Sequence, residues 1–209
     1  MPDDELKAKL IVPDTGPLIT LAAADSLDYL LYPAAPVYIP DAVLYEATVK
    51  SDAIGAQSIA EWVQRHSEHV HPLVTQVFAE YLARLTAGER APRDLGERAA
   101  IEAIRYSLVL AADERAVFIT EDDRLLTGTY IILGEDRDRM IPITTRDFLE
   151  GLEEARRINS AEDVYRRAED AGRLASKRAA LAADHERARA AVESLLHSRR
   201  EDPTPERRT

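Results

Sequence analysis

The sequence predicts a doubly wound α/β domain, a parallel sheet with helices on both faces, carrying a C-terminal helical extension. Short β-branched runs alternate with helical patterns from Leu10 to about Leu152, and parallel strands need such crossover helices. The runs lack apolar/polar alternation, as expected of strands covered on both faces. After Asn159 the chain turns alanine-rich and charge-dense.

The strand candidates are Leu10 to Val12, Val37 to Ile39, a weaker run from His69 to Val74, Val117 to Thr120 and Ile141 to Ile143, with Tyr130 to Leu133 as a further one. Pro17 fits the first turn of a helix through Ala23, where its missing N–H would be unsatisfied anyway. Pro40-Asp41 opens the next helix, through Thr48. A third begins near Ile54 and carries Trp62. A fourth, from Gln76, carries Phe78, Tyr81, Leu82 and Leu85 and stops at Gly88. Asp94 to Glu97 opens the longest core helix, with Ala100, Ile101, Ile104, Leu108 and Ala111 along its buried face.

Ser160 to Asp163 is a capping-box-like helix start, with Asp in place of the usual Glu or Gln. Beyond it Leu174, Leu181, Ala188 and Leu195 recur every seven residues, beside Ala171 and Val192. Arg178 and His185 interrupt this seam, which is too thin for an autonomous coiled coil. The helices must therefore pack on something: the domain's own core or a second subunit before an external partner. The closing REDPTPERRT is polar and expected to be disordered. These boundaries divide the chain into an α/β domain at 1–158, a helical extension at 159–200 and a tail at 201–209.

Composition excludes several function classes. The 209 residues include no cysteine, which removes disulfide scaffolds, thiol catalysis and thiolate metal sites. No run of 18 apolar residues exists and the acidic opening is no leader peptide, so a cytoplasmic location is expected. The net charge of −11 argues against a coat for duplex DNA. Charge divides with the domains: residues 1–158 carry 16 Lys/Arg against 28 Asp/Glu, and residues 159–209 carry 11 against 10. The five histidines form no convincing triad or zinc site, and His69-x-His71 fits a surface edge strand.

Four acids lie where a parallel sheet concentrates function, at strand carboxyl ends and on the helices that follow. Asp14 directly follows the first strand, although a helix cap would also explain it. Asp122 follows Val117 to Thr120, with Glu121 and Asp123 on either side. Three adjacent acids at a buried strand end repel one another and call for a nearby cation, for which Arg124 is the local choice. Glu46 lies inside the helix after the second strand, where a glutamate is ordinarily solvent-facing. Glu97 is three residues beyond Asp94, and a capping box would account for that pair. Converging in one pocket, four carboxylates without His or Cys suit a hard cation such as Mg²⁺ or Mn²⁺.

The stretch DTGPLITLAAADSLDYLL, followed by VYIPDAVLYEAT, resembles the opening of PIN-domain proteins of the branch with a D-T/S-x-P-L-I motif. DLGERAAIEAI, VFITEDDR and IPITTRDFLEGL resemble that branch's later motifs, in family order, over roughly residues 8–155. The resemblance implies a three-layer α/β/α nuclease fold with a central parallel sheet. It implies a Mg²⁺- or Mn²⁺-dependent ribonuclease whose acidic quartet is Asp14, Glu46, Glu97 and Asp122, flanked by Thr15 and Thr120. At the third acidic position many toxin members carry aspartate and Glu97 matches a variant branch, with Asp94 as a substitute or helper; at the fourth, Asp123 could share or replace the role of Asp122. Bacterial members are often toxins of toxin–antitoxin pairs, and PIN proteins commonly dimerise. The expected partners are thus single-stranded or looped RNA, an antitoxin and a second copy, with no membrane. Truncation after Arg157 is accordingly expected to lower the thermal midpoint or convert dimer to monomer while sparing the metal site. Arg98 and Arg124 are the candidates to guide the RNA, with Arg90, Arg93 and Arg105 behind them. A PIN-fold binding or regulatory module without catalysis is the alternative. A D-x-D phosphotransferase motif, a G-x-G-x-x-G turn, a P-loop and a G-x-S-x-G elbow are all missing.

Overall fold

The computed structural model describes residues 7–89, 94–122, 139–175 and 182–197. Five parallel strands form one sheet: β1 (Lys7–Pro13), β2 (Val37–Pro40), β3 (Val70–Leu73), β4 (Glu114–Thr120) and β5 (Met140–Thr144). Their order across the sheet is β3-β2-β1-β4-β5. The chain thus builds outward from β1 in one direction, then returns to add β4 on its other side. Such a reversal opens a crevice beyond the carboxyl ends of the two central strands. Register fixes those ends together, with Pro13 opposite Ile119 and the Asp14 N–H donating to the Ile119 carbonyl at 2.8 Å.

Alternate strand residues feed two cores, as the period of two requires. Ile11, Val117, Ile119, Ile141 and Ile143 face one side, and Leu10, Val12, Ala116, Phe118 and Met140 the other. Eight α-helices stand among the described residues. Helices α1 (Thr15–Ala23), α3 (Ala56–Arg65), α6 (Thr145–Glu154), α7 (Ala161–Asp170) and α8 (Ala182–His197) cover the first face. Helix α5 (Leu95–Glu102) covers the second, and α2 (Asp41–Thr48) and α4 (Gln76–Thr86) pack beside it. The three-layer α/β/α fold is therefore present.

Several sequence expectations change in detail. The helix opening at Asp94 does not run to Ala111: α5 passes into a π-helical turn, Ala103–Ser107, and Leu108 is already extended. Arg139 closes that end by donating to the Arg105 carbonyl at 2.8 Å, so the terminal backbone acceptors are not left bare. Ala111 is exposed. Asp94 does not cap its helix through its side chain, because its own backbone is left-handed at φ +59°. The 130–133 strand candidate, Arg90, Arg93, Asp123, Arg124, Arg178, Leu181 and the polar tail lie outside the described residues.

The extension packs on the domain's own sheet. In α7 the buried positions are Ala161, Val164, Tyr165 and Ala168, and in α8 they are Ala188, Ala191, Val192 and Leu195. Both are i, i+3, i+4, i+7 stripes of separate amphipathic helices, not one seven-residue seam. Leu174 is accordingly 87% exposed, and Gly172 breaks the chain between the helices at φ +87°. His185, which interrupts the seam, instead sits 2.9 Å from Asp147, the buried partner of Thr144 in the capping box of α6. Val192 meets α6 at Gly151, where an added Cβ would lie 2.7 Å from Val192 Cγ1. Gly151→Ala should therefore lower stability by about 1–3 kcal/mol despite alanine's better helix propensity. Urea denaturation would show this, and an unchanged or raised midpoint would contradict the packing of α8 on α6.

Candidate functional site

At the β1/β4 crevice the four predicted acids come together from four elements. Asp14 leaves the end of β1 and is 7% exposed. Its Oδ1 accepts from the Thr15 N–H at 2.8 Å, which caps α1, and its Oδ2 accepts from Thr120 Oγ1 at 3.2 Å. The cap and the site residue are thus one side chain. Thr120 also accepts from the Asp122 N–H at 3.0 Å, so a single hydroxyl links the ends of the two central strands. Thr15 Oγ1 donates to Glu46 Oε2 at 3.0 Å, bringing that carboxylate from α2 toward Asp14.

Glu97 arrives on the first turn of α5, behind Gly96. A Cβ on residue 96 would lie 2.9 Å from Glu46 Oε2 and 3.2 Å from Asp14 Oδ1. Glycine is what lets the helix approach both carboxylates. In the sequence Gly96 is no more than a glycine between a leucine and an acid, and only the DLGE context hints at its role.

The electrostatics follow from this crowding. Burial first, then the nearby Glu97 and Glu46 charges, push the Asp14 carboxyl up to about 7 against the hydrogen bonds from Thr15 and Thr120. Burial also raises Glu97, reinforced by the charges of Asp94, Asp122 and Glu46. Glu46 is raised by desolvation of its carboxylate end, although the residue as a whole is exposed. Among the described residues no Lys or Arg side chain hydrogen-bonds to Asp14. At neutral pH this cluster needs a proton or a cation. Its donors are all oxygen, which fits a hard divalent ion. Asp94 lies close enough to act on Glu97; Asp123 lies outside the described residues.

Glu121 goes elsewhere. Its carboxylate turns inward, 11% exposed, and accepts from Thr20 at 2.8 Å, Thr145 at 3.1 Å and Arg173 at 2.9 Å. Among the described residues the cation that meets Glu121 is Arg173, 52 residues on, and nothing local in the sequence marks it.

Among the described residues one group of three His, Asp and Glu side chains brings an atom of each within 4.8 Å of the others, and it lies away from this quartet. It comprises Asp147, Glu150 and His185. Its members have structural partners: Asp147 is in the Thr144 capping box, and Glu150 accepts from Arg146 Nε at 2.6 Å. Of the cations expected to guide a substrate, Arg98 follows Glu97 on α5 and is half-buried, while Arg105 lies 5.6 Å from the Tyr106 ring centre.

No helix among the described residues is long and apolar enough to cross a membrane. Comparison with known proteins finds no match among curated proteins or solved structures. One family model, described as a PIN domain, matches residues 10–171, from the second half of β1 to the residue after α7. That span includes all four acids and most of the chain. With the parallel three-layer fold and the acidic crevice in place, the chain belongs to the PIN-domain family.

Proposed function

We propose that the chain is a metal-dependent endoribonuclease that hydrolyses phosphodiester bonds in single-stranded or looped RNA. The observation that carries this is Asp14, a buried carboxylate at the sheet's switch point, facing two raised glutamates with no basic side chain among the described residues bonded to it. PIN domains are generally nucleases, and this cluster is their chemistry. Resemblance to the family's bacterial toxins supports a place as the toxin of a toxin–antitoxin pair. The partly open apolar side of α4, where Leu82 and Leu85 are exposed, supports an antitoxin or a second copy as partner.

Asp14 and Asp122, on adjacent strand ends, would hold Mg²⁺ or Mn²⁺, with Glu46 and Glu97 completing the oxygen set. Such an ion supplies charge neutralisation of the scissile phosphate and a lowered pKa for the attacking water. Thr120 fixes the spacing of the two aspartates through its hydrogen bonds to both. Thr15 holds Glu46. Glu97, whose carboxyl is raised by burial, would help to orient the attacking water. Arg98, next to Glu97 on α5, would meet the RNA backbone.

Asp14→Asn should abolish Mn²⁺-dependent cleavage of a single-stranded oligoribonucleotide, by two orders of magnitude or more, while the protein stays folded (~10²-fold or greater). Full activity in this variant, or in the presence of EDTA, would refute the assignment and favour a binding module without catalysis.

Stability should carry the same signature. Between pH 3.8, where Asp14 ionises in the unfolded chain, and about 7, the folded protein keeps a proton that the unfolded chain has lost. Stability contributed at Asp14 therefore falls as pH rises through this window, by on the order of 4 kcal/mol in total, and levels off above it. Urea titrations of the metal-free protein against Asp14→Asn should show the two diverging across the window, with the variant the more stable at pH 8. Added Mn²⁺ should stabilise only the unmutated protein.

Gly96→Ala should displace Glu46 and crowd Asp14, cutting activity about tenfold or more, because the added Cβ would lie 2.9 Å from Glu46 Oε2 and 3.2 Å from Asp14 Oδ1. A kinetic comparison showing no loss would mean that Glu46 does not work from this position.

A further inference from the structure

We infer that Arg173, two residues beyond the span shared with the PIN family, is a positioning residue for the metal centre. Resting on the quartet's being a divalent-metal site, the inference concerns how three consecutive acids at one strand end come to do different things. Glu121 is turned inward and Asp122 is near enough to raise Glu97. What separates them is a polar clasp. Arg173 Nη2 donates to Glu121 Oε2 at 2.9 Å, and its Nε donates to Thr20 Oγ1 at 3.3 Å. Thr20 and Thr145 both donate to Glu121 Oε1. The first turn of α1 makes room for this side chain, since a Cβ at Gly16 would lie 3.2 Å from both Glu121 Cβ and Glu121 Oε2.

Four parts of the chain therefore meet on Glu121: α1, the strand end of β4, the first residue of α6 and the segment after α7. Its neighbours on either side are Thr120, which holds Asp14, and Asp122. Any rotation of the 121 backbone is passed directly to both. Without Arg173 the carboxylate would be left almost buried and without its cation, a state costly enough to drive it toward solvent. Moving outward, it would drag Thr120 and Asp122 with it and add repulsion at the crevice. On this inference the segment after α7 is coupled to the site. Arg173 is only 27% exposed, so its charge is spent on this contact and not on substrate.

Mn²⁺ binding to the full chain at 25 °C, followed by electron paramagnetic resonance, tests this without requiring turnover. Arg173→Ala should weaken Mn²⁺ binding by about tenfold or more, the scale typical of lost partners behind metal ligands. Adding Glu121→Gln to that variant should restore affinity to within about threefold of the unmutated protein. The neutral amide can stay with Thr20 and Thr145, so the missing charge is no longer felt. Arg173→Lys keeps the charge but not the two-pronged grip, and covers the case in which the alanine variant does not fold. It too should bind Mn²⁺ measurably more weakly. A purely structural arginine would instead lower the thermal midpoint and leave Mn²⁺ affinity unchanged. Unchanged or tighter binding in the alanine and lysine variants, or no recovery in the double variant, would overturn the inference. Failure of the unmutated protein to bind Mn²⁺ would overturn the metal site itself and this inference with it.

Discussion

The structure depends on a carboxylate held where water scarcely reaches it. Asp14 sits at the point where the sheet reverses direction, and the geometry around it serves two ends at once. One oxygen closes the first turn of α1, and the other takes a hydroxyl from the neighbouring strand. The hydrogen bonds keep the group oriented but do not neutralise it. Burying charge without a counter-charge is unfavourable. The fold tolerates the residue by raising its proton affinity, which makes the same atoms a strong site for a cation.

From that constraint the surrounding choices follow. Small or hydroxyl-bearing residues ring the acids: Thr15, Gly16, Gly96, Thr120 and Thr145. Each either donates to a carboxylate or leaves room for one. Apolar packing lies a step further out, in the isoleucines and valines of the central strands, and fixes the backbone to which the polar groups are attached. Rigidity below and polarity above is the arrangement that preorganised chemistry requires. The other His, Asp and Glu group, around Asp147, illustrates the contrast. There the carboxylate is met by its own helix cap and by a histidine, so its role in holding α8 against α6 is sufficient.

Much of this was legible in the sequence because it is local. Strand periodicity, Pro17 in a first turn and acids at strand ends are all short-range signals, and the four motif acids do converge. The misread parts are long-range or conformational. Asp94 followed at three residues by Glu97 has the letters of a capping box, but a left-handed backbone at Asp94 turns the side chain away from that task. The π-helical turn at Ala103–Ser107 ends the apolar stripe early, and no residue there forbids a longer helix. The seven-residue spacing of Leu174, Ala188 and Leu195 dissolves because Leu174 lies exposed between the helices while Ala188 and Leu195 are buried on α8. Arg173 could not be read at all, because its partner is distant in sequence and arginine is ordinary in so charged a segment. Gly96 was visible but mute, since its meaning lies in two carboxylates from other elements.

One contact spans most of the described chain. The Ala8 N–H, on the central strand β1, donates to Ser194 Oγ on α8 at 2.9 Å, across 186 residues. Beside it Ala188, Ala191, Val192 and Leu195 share a core with Ala8 and Ile11. Strand β1 is made well before α8 and must wait for it before that face is covered. At roughly 5–20 residues per second the delay is about 10–40 s. Throughout that interval the nascent protein presents an apolar strip that chaperones can hold.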